Sequence, residues 1–216
     1  MFRIFGPPGT GKTTTLLNML DSALENGVSA NTIAFLAFTR KAANEAKERA
    51  SNRFHLDPEK DLFYFRTLHS LALSSSGIRT EQVMGREHYK ELSDLISIPL
   101  VSGSTLEDDI LDRQANDHPI LSLINLARLC KTSLREQYNK TYMVFDWNTV
   151  NYVDKCYKEY KQQHELYDFT DMLQCFIDEA EVSCPKFELV FLDEAQDLSP
   201  LQWDIAHILD KNAKKM

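Results

Sequence analysis

The chain has 216 residues, 43% of them hydrophobic and 26% charged, which excludes an intrinsically disordered or collagen-like protein and suffices for one sizeable domain or a core domain with an insertion. The net charge of −8, from 24 Lys and Arg against 32 Asp and Glu, excludes coating of nucleic acid by bulk electrostatics, so any such contact must be local. No apolar run approaches the roughly 18 residues of a membrane-spanning helix, and residues 1–5 lead into glycine and proline rather than a signal peptide's apolar stretch; the expectation is an intracellular protein.

In chain order, residues 1–5 read as a buried strand feeding a turn in which Gly6, Gly9 and Gly11, three of the seven glycines, fall within six positions. Leu16, Leu17, Leu20 and Leu24 then recur at helical spacing and Gly27 offers a C-cap, so 11–26 is an amphipathic helix. The apolar run 32–38 predicts a second strand. Residues 39–52 follow as a helix with Ala42, Ala43, Ala46 and Ala50 inward, and 62–65 is a third strand. From 74 to 165 no strong strand signal appears, and helical patterns are separated by Gly77, Gly85, Pro99, Gly103 and Pro119. A strand returns at 188–192, ends in Asp193 and Glu194, and is followed after Pro200 by a helix over 201–209. Strands alternating with helices imply an α/β fold with a parallel sheet flanked by helices. The expected organisation is a core from 1–73 and 166–216 interrupted by a helical insertion at 74–165. Cys130, Cys156, Cys175 and Cys184 have no metal-ligand spacing and read as free thiols.

Gly6-Pro7-Pro8-Gly9-Thr10-Gly11-Lys12-Thr13 matches the phosphate-binding pattern G-x-x-x-x-G-K-[ST] in full, between a strand and a helix, and Thr14 continues it. Glycines let backbone N–H groups converge on a phosphate, and the following helix adds the positive end of its dipole. Lys12 is then placed to reach the β and γ phosphates of ATP, and Thr13 to ligate Mg²⁺. The partner signal is the apolar strand ending in Asp193, which can hold Mg²⁺, and Glu194, which can accept a proton from the attacking water. An apolar strand ending in two carboxylates is also an ordinary solvated strand end, and only its pairing with the glycine loop turns the reading toward hydrolysis.

Asp193-Glu194-Ala195-Gln196-Asp197 resembles motif II of the superfamily 1 helicases of the UvrD/Rep type. Three further segments resemble their motifs in the same order: 37–43 (Ala-Phe-Thr-Arg-Lys-Ala-Ala) motif Ia, 67–70 (Thr-Leu-His-Ser) motif Ib, and 167–173 (Tyr-Asp-Phe-Thr-Asp-Met-Leu) the acidic-aromatic segment before motif II. The resemblance implies a RecA-like first motor domain and ATP-driven translocation along single-stranded DNA. It implies that Gln196 contacts the γ-phosphate or the attacking water. It also implies that Phe38, Thr39 and Arg40, with Thr67 and His69 nearby, line the DNA track. A second RecA-like domain is the implied partner, and a chain ending at Met216 is expected to bind nucleotide yet be catalytically incomplete. For single residues the plainer alternatives are burial of Phe38 in the core, helix capping by His69, solvated helix-start roles for Arg40 and Lys41, and plain N-terminal helix carboxylates favoured by the dipole at Asp168 and Asp171. Two other functions compete: an AAA+ ATPase, whose glycine loop is commonly spelled this way, and a non-catalytic nucleotide-gated binding module.

Overall fold

The computed structural model describes residues 2–6, 9–100 and 118–216; Pro7, Pro8 and Gly103 lie outside them. A four-stranded sheet in the order β2-β1-β3-β4 comprises β1 (Ile33–Ala37), β2 (Phe65–Thr67), β3 (Phe187–Leu192) and β4 (Ala213–Lys215), all parallel. Sequence neighbours β1 and β2 pair with Phe35 opposite Phe65, while β1 and β3, far apart in the chain, pair with Phe35 opposite Phe191. All five residues of β1 are buried, as a central parallel strand covered on both faces requires.

The chain divides into two compact units. The first comprises Met1–Ser76, Phe176–Leu198 and Gln202–Met216 and holds the sheet. Helix α1 (Lys12–Glu25) buries Leu17 and Leu20, and α2 (Arg40–Phe54) buries Ala43, Ala46 and Ala50. That alanine stripe brings the α2 backbone close to β1, where larger side chains would hold it away. Phe35 fills the centre, its ring 5.9 Å from that of Phe65 and 6.1 Å from that of Phe191. Asp21, 3% exposed on α1, accepts from Arg49 at 2.8 Å and Arg53 at 2.5 Å, tying α1 to α2.

Three expectations are corrected here. Residues 2–6 are not a buried strand: they are irregular, with Phe2 81% and Phe5 85% exposed. A strand needs a ladder, and the backbone bond shown for this stretch runs from Phe2 N to Met216 O, at 2.6 Å, just past the short β4. The third strand is displaced from 62–65 to Phe65–Thr67, because β1 pairs Phe35, Leu36 and Ala37 with those residues. Leu62 is buried ahead of it without joining the ladder. β4 has no counterpart in the pattern reading, since Ala-Lys-Lys has no apolar run; register with β3, Phe187 opposite Ala213, makes it a strand.

The second unit, Gly77–Cys175 with Ser199–Leu201, is helical among its described residues. After α3 (Leu68–Ser75) of the first unit come α4 (Arg86–Ile96), α5 (Pro119–Leu129), α6 (Leu134–Lys140) and α7 (Trp147–Gln163). Tyr89, Leu92, Ile120, Ile124, Val150, Val153 and Tyr157 form its core. Helix α8 (Phe169–Asp178) and the short α9 (Ala180–Ser183) lead back to β3, and α10 (Pro200–Lys211) follows. Among the described residues no helix is long and apolar enough to cross a membrane, and all four cysteines are free.

Candidate nucleotide site and sheet edge

The glycine loop is shaped by two demands that only glycine meets. Gly9 and Gly11 take φ of +79° and +80°, the left-handed region that a side chain disfavours, and Gly11 serves there as the N-cap of α1. A Cβ on Gly6 would lie 2.5 Å from Thr10 Oγ1, so a side chain at position 6 would force Thr10 to shift. Lys12 donates to Gly6 O at 3.0 Å, which draws its ammonium back across the loop.

Parallel strands end on the same side of a sheet, so the residues after β1, β2 and β3 gather along one edge. Asp193, directly after β3, is 4% exposed, and its backbone N–H donates to Leu36 O at 2.9 Å. Thr13 Oγ1 donates to Asp193 Oδ2 at 3.0 Å although 180 positions separate the two residues. Burial pushes the Asp193 carboxyl upward, and the bonds from Thr13 and from the Glu194 N–H, at 3.1 Å, offset this only in part. The hydroxyl and the carboxylate are hard oxygen donors of the kind Mg²⁺ takes, so these residues fit that ion.

Of the five non-glycine residues with positive φ among the described residues, His55, Ser97, Lys131 and Glu165 close helices. Glu194, at φ +52°, instead follows a strand and opens the 3₁₀ turn Ala195–Asp197. Gln196 on that turn donates through Nε2 to the Glu194 carboxylate, and at 3.4 Å to Asp197 Oδ2. Lys12, Thr13, Asp193, Glu194 and Gln196 belong to the first unit with the glycine loop, and the Thr13–Asp193 bond joins its two ends. Thr10 on that loop and Thr14 in the first turn of α1 are both exposed.

At the same edge, Phe38 is half-buried, whereas the five β1 residues before it are fully buried. Thr39 is the N-cap of α2, its hydroxyl accepting from Ala42 N at 3.2 Å, and Arg40 is the exposed first residue of that helix. Thr67 is the N-cap of α3, accepting from Ser70 N at 3.2 Å, so capping falls to Thr67 and not to the half-buried His69. Arg66 escaped the sequence reading: its guanidinium lies 3.9 Å over the Phe63 ring and its Nε donates to Phe63 O at 2.7 Å. Burial lowers its pKa from the ordinary value. A lone arginine on a short strand carries no local signal of such stacking.

The acidic-aromatic segment is built into the second unit. Asp168 N donates to Asp171 Oδ2 and Asp171 N to Asp168 Oδ1, each at 2.8 Å, a reciprocal cap on the first turn of α8. Asp168, 2% exposed, also accepts from Arg128 at 2.6 Å, Lys161 at 2.5 Å and the Tyr157 hydroxyl at 2.8 Å, and both cations reach Asp171. Burial alone would raise the Asp168 carboxyl, but Arg128 and Lys161 outweigh it and hold it well below the usual carboxylate range. Arg128 stands 40 positions away, which no local pattern reveals.

The profile of the UvrD/REP helicase N-terminal domain matches residues 2–216. The chain is 24% identical over 225 residues to a putative ATP-dependent DNA helicase, YjcD, of Bacillus subtilis (strain 168), covering 93% of this chain and 27% of that protein. It is likewise 24% identical over 226 residues to the ATP-dependent DNA helicase PcrA of Staphylococcus aureus (strain Mu50), covering 99% of this chain and 30% of that one. The chain thus spans less than a third of the length of these relatives. With a glycine loop, a strand-end Asp-Glu pair and a parallel sheet behind them, it belongs to the UvrD/REP helicase N-terminal domain family.

Proposed function

We propose that this protein is the nucleotide-binding half of an ATP-driven motor on single-stranded DNA. The observation that carries the reading is the 3.0 Å bond between Thr13 and Asp193, which brings a helix-start hydroxyl and a strand-end carboxylate together beside a phosphate loop. Residues 1–73 and 166–216 are taken as the motor core and 74–165 as a helical insertion. The backbone N–H groups of residues 9–13 and the N-terminus of α1 receive the ATP phosphates, and Lys12 leaves Gly6 O for the β and γ oxygens. Thr13 and Asp193 are the residues that would hold Mg²⁺, which when bound neutralises charge developing on the phosphates. Glu194 takes the proton of the water whose oxygen attacks the γ-phosphorus as the bond to the β-phosphate bridging oxygen breaks. Gln196, already bonded to Glu194, orients that carboxylate and the water.

Phe38, Thr39, Arg40, Thr67 and His69 share the sheet edge with this site and form the DNA track in this reading. A second RecA-like domain, in this polypeptide or another, closes over the nucleotide and supplies an arginine.

Calorimetry with ATP and Mg²⁺ tests the reading. Binding should require the metal, and Thr13→Val should remove most of that requirement by deleting one of its two protein oxygens. ATP affinity indifferent both to chelation and to Thr13→Val would remove the nucleotide site.

A further inference from the structure

In the helical unit, residues 141–146 join α6 to α7, and their side chains alternate. Met143 and Phe145 pack on the unit's core, while Tyr142 is 96% and Val144 87% exposed. The Tyr138 hydroxyl donates to Phe145 O at 3.1 Å and fixes the connection. Beside it the Arg135 guanidinium lies 4.5 Å over the Trp147 ring and 5.7 Å over that of Tyr138, and those two rings meet edge to face at 5.4 Å. The Arg135 guanidinium is exposed and makes no hydrogen bond or ion pair among the described residues.

The nearby carboxylates are already engaged. Glu136 accepts from Lys140 at 2.6 Å, and Asp146 caps α7 through Asn148 N, Thr149 N and the Thr149 hydroxyl. An arginine held over an indole has lost much of its rotamer freedom, yet its N–H donors meet no acceptor among the described residues. Seven positions along the chain, at the start of the connection that leads to Trp147, the Tyr142 ring is open to solvent. Such a pair suits a phosphodiester carrying an unstacked base: the guanidinium takes a phosphate oxygen and the ring takes the base's π face. In a chain of net charge −8, a polyanion can be held only by a local contact of this kind.

We propose that Arg135, seated on Trp147, and Tyr142 form a contact for single-stranded nucleic acid on the helical unit, separate from the sheet edge. It rests on the reading that this protein works on single-stranded DNA, and on none of the residues of the nucleotide site.

The chain has two tryptophans, so Trp203→Phe leaves Trp147 as the only indole, a reporter inside the proposed site. Titrating this variant with a labelled oligo-dT of about 20 nucleotides at low salt should quench Trp147 as the label's anisotropy rises. In that background Tyr142→Ala should weaken binding about fivefold or more. Arg135→Ala should reduce the slope of log K against log salt by about 0.7, and Arg135→Lys should keep the slope. Tyr142 is almost fully exposed, so its replacement leaves the fold intact and keeps the test independent of stability.

Trp147 emission unchanged across the titration overturns the proposal. So does equal quenching by poly-glutamate, which would make the site a carboxylate contact. Binding abolished by Phe38→Ala with Arg40→Ala but indifferent to Tyr142→Ala also overturns it, while leaving the sheet-edge track standing. The reverse pattern supports it and removes the track instead.

Discussion

In the proposed site Lys12 holds phosphate and Glu194 takes a proton, and substitution separates the two roles. Lys12→Ala removes a charge-assisted phosphate contact, so affinity for Mg-ATP should fall by about tenfold or more, read by calorimetry. Glu194→Gln keeps the side chain's shape and its place beside Gln196, so nucleotide should still bind while turnover of the whole motor drops by roughly 10² or more. Glu194 also sits at φ +52°, a conformation that costs a non-glycine residue about 1 kcal/mol or more. Glu194→Gly should therefore match or exceed the wild-type melting temperature while losing turnover. A clear fall in melting temperature would mean that the carboxylate's bonds outweigh the backbone strain.

Among the elements, α5, α7 and α8 are joined by the Arg128, Lys161, Asp168 and Asp171 cluster. Removing one partner from a buried pair leaves the opposite charge uncompensated, so Arg128→Met should cost about 3 kcal/mol in denaturant unfolding. That is the low end of the usual range, because the Arg128 side chain is still 26% exposed. The Asp168 carboxyl is depressed in the folded state, so its contribution is complete above its ordinary value of 3.8 and is lost as pH falls through the depressed value. Wild type should then lose stability more steeply between about pH 4 and 2 than Asp168→Asn, in melts run against pH. Parallel curves would mean that Asp168 does not supply this dependence.

For the whole molecule, the proposed translocation needs two bodies that approach and separate around the nucleotide, because one body cannot alternate its grip on DNA. In related phosphoryl-transfer sites an arginine brought from outside is worth about 10³ to 10⁵ in rate. The 216-residue chain on its own should therefore hydrolyse ATP slowly and leave a tailed duplex intact in a strand-displacement assay. Robust unwinding by this chain alone would mean that copies of it supply both bodies and the arginine that the proposal assigns to a second domain.

Much of the first unit's helical framework, the central strands and the turn glycines ahead of α1 are legible in the sequence. Their signals are local: apolar runs for β1 and β3, alanines at helical spacing for α2, and three glycines within six positions. The order of Asp193, Glu194 and Gln196 also pointed to the right family, since residue type and spacing are sequence properties. Tertiary structure decided what depends on partners distant in the chain. β4 is a strand only because β3 offers it a ladder, and residues 2–6 are not one because no matching length of β4 lies beside them. Asp168 and Asp171 read as plain helix-start carboxylates, and only the fold brings Arg128 and Lys161 onto them. Thr13 and Asp193 each fit a motif alone. That they meet at 3.0 Å follows from parallel strands ending on one edge, a property of the sheet and of no segment within it.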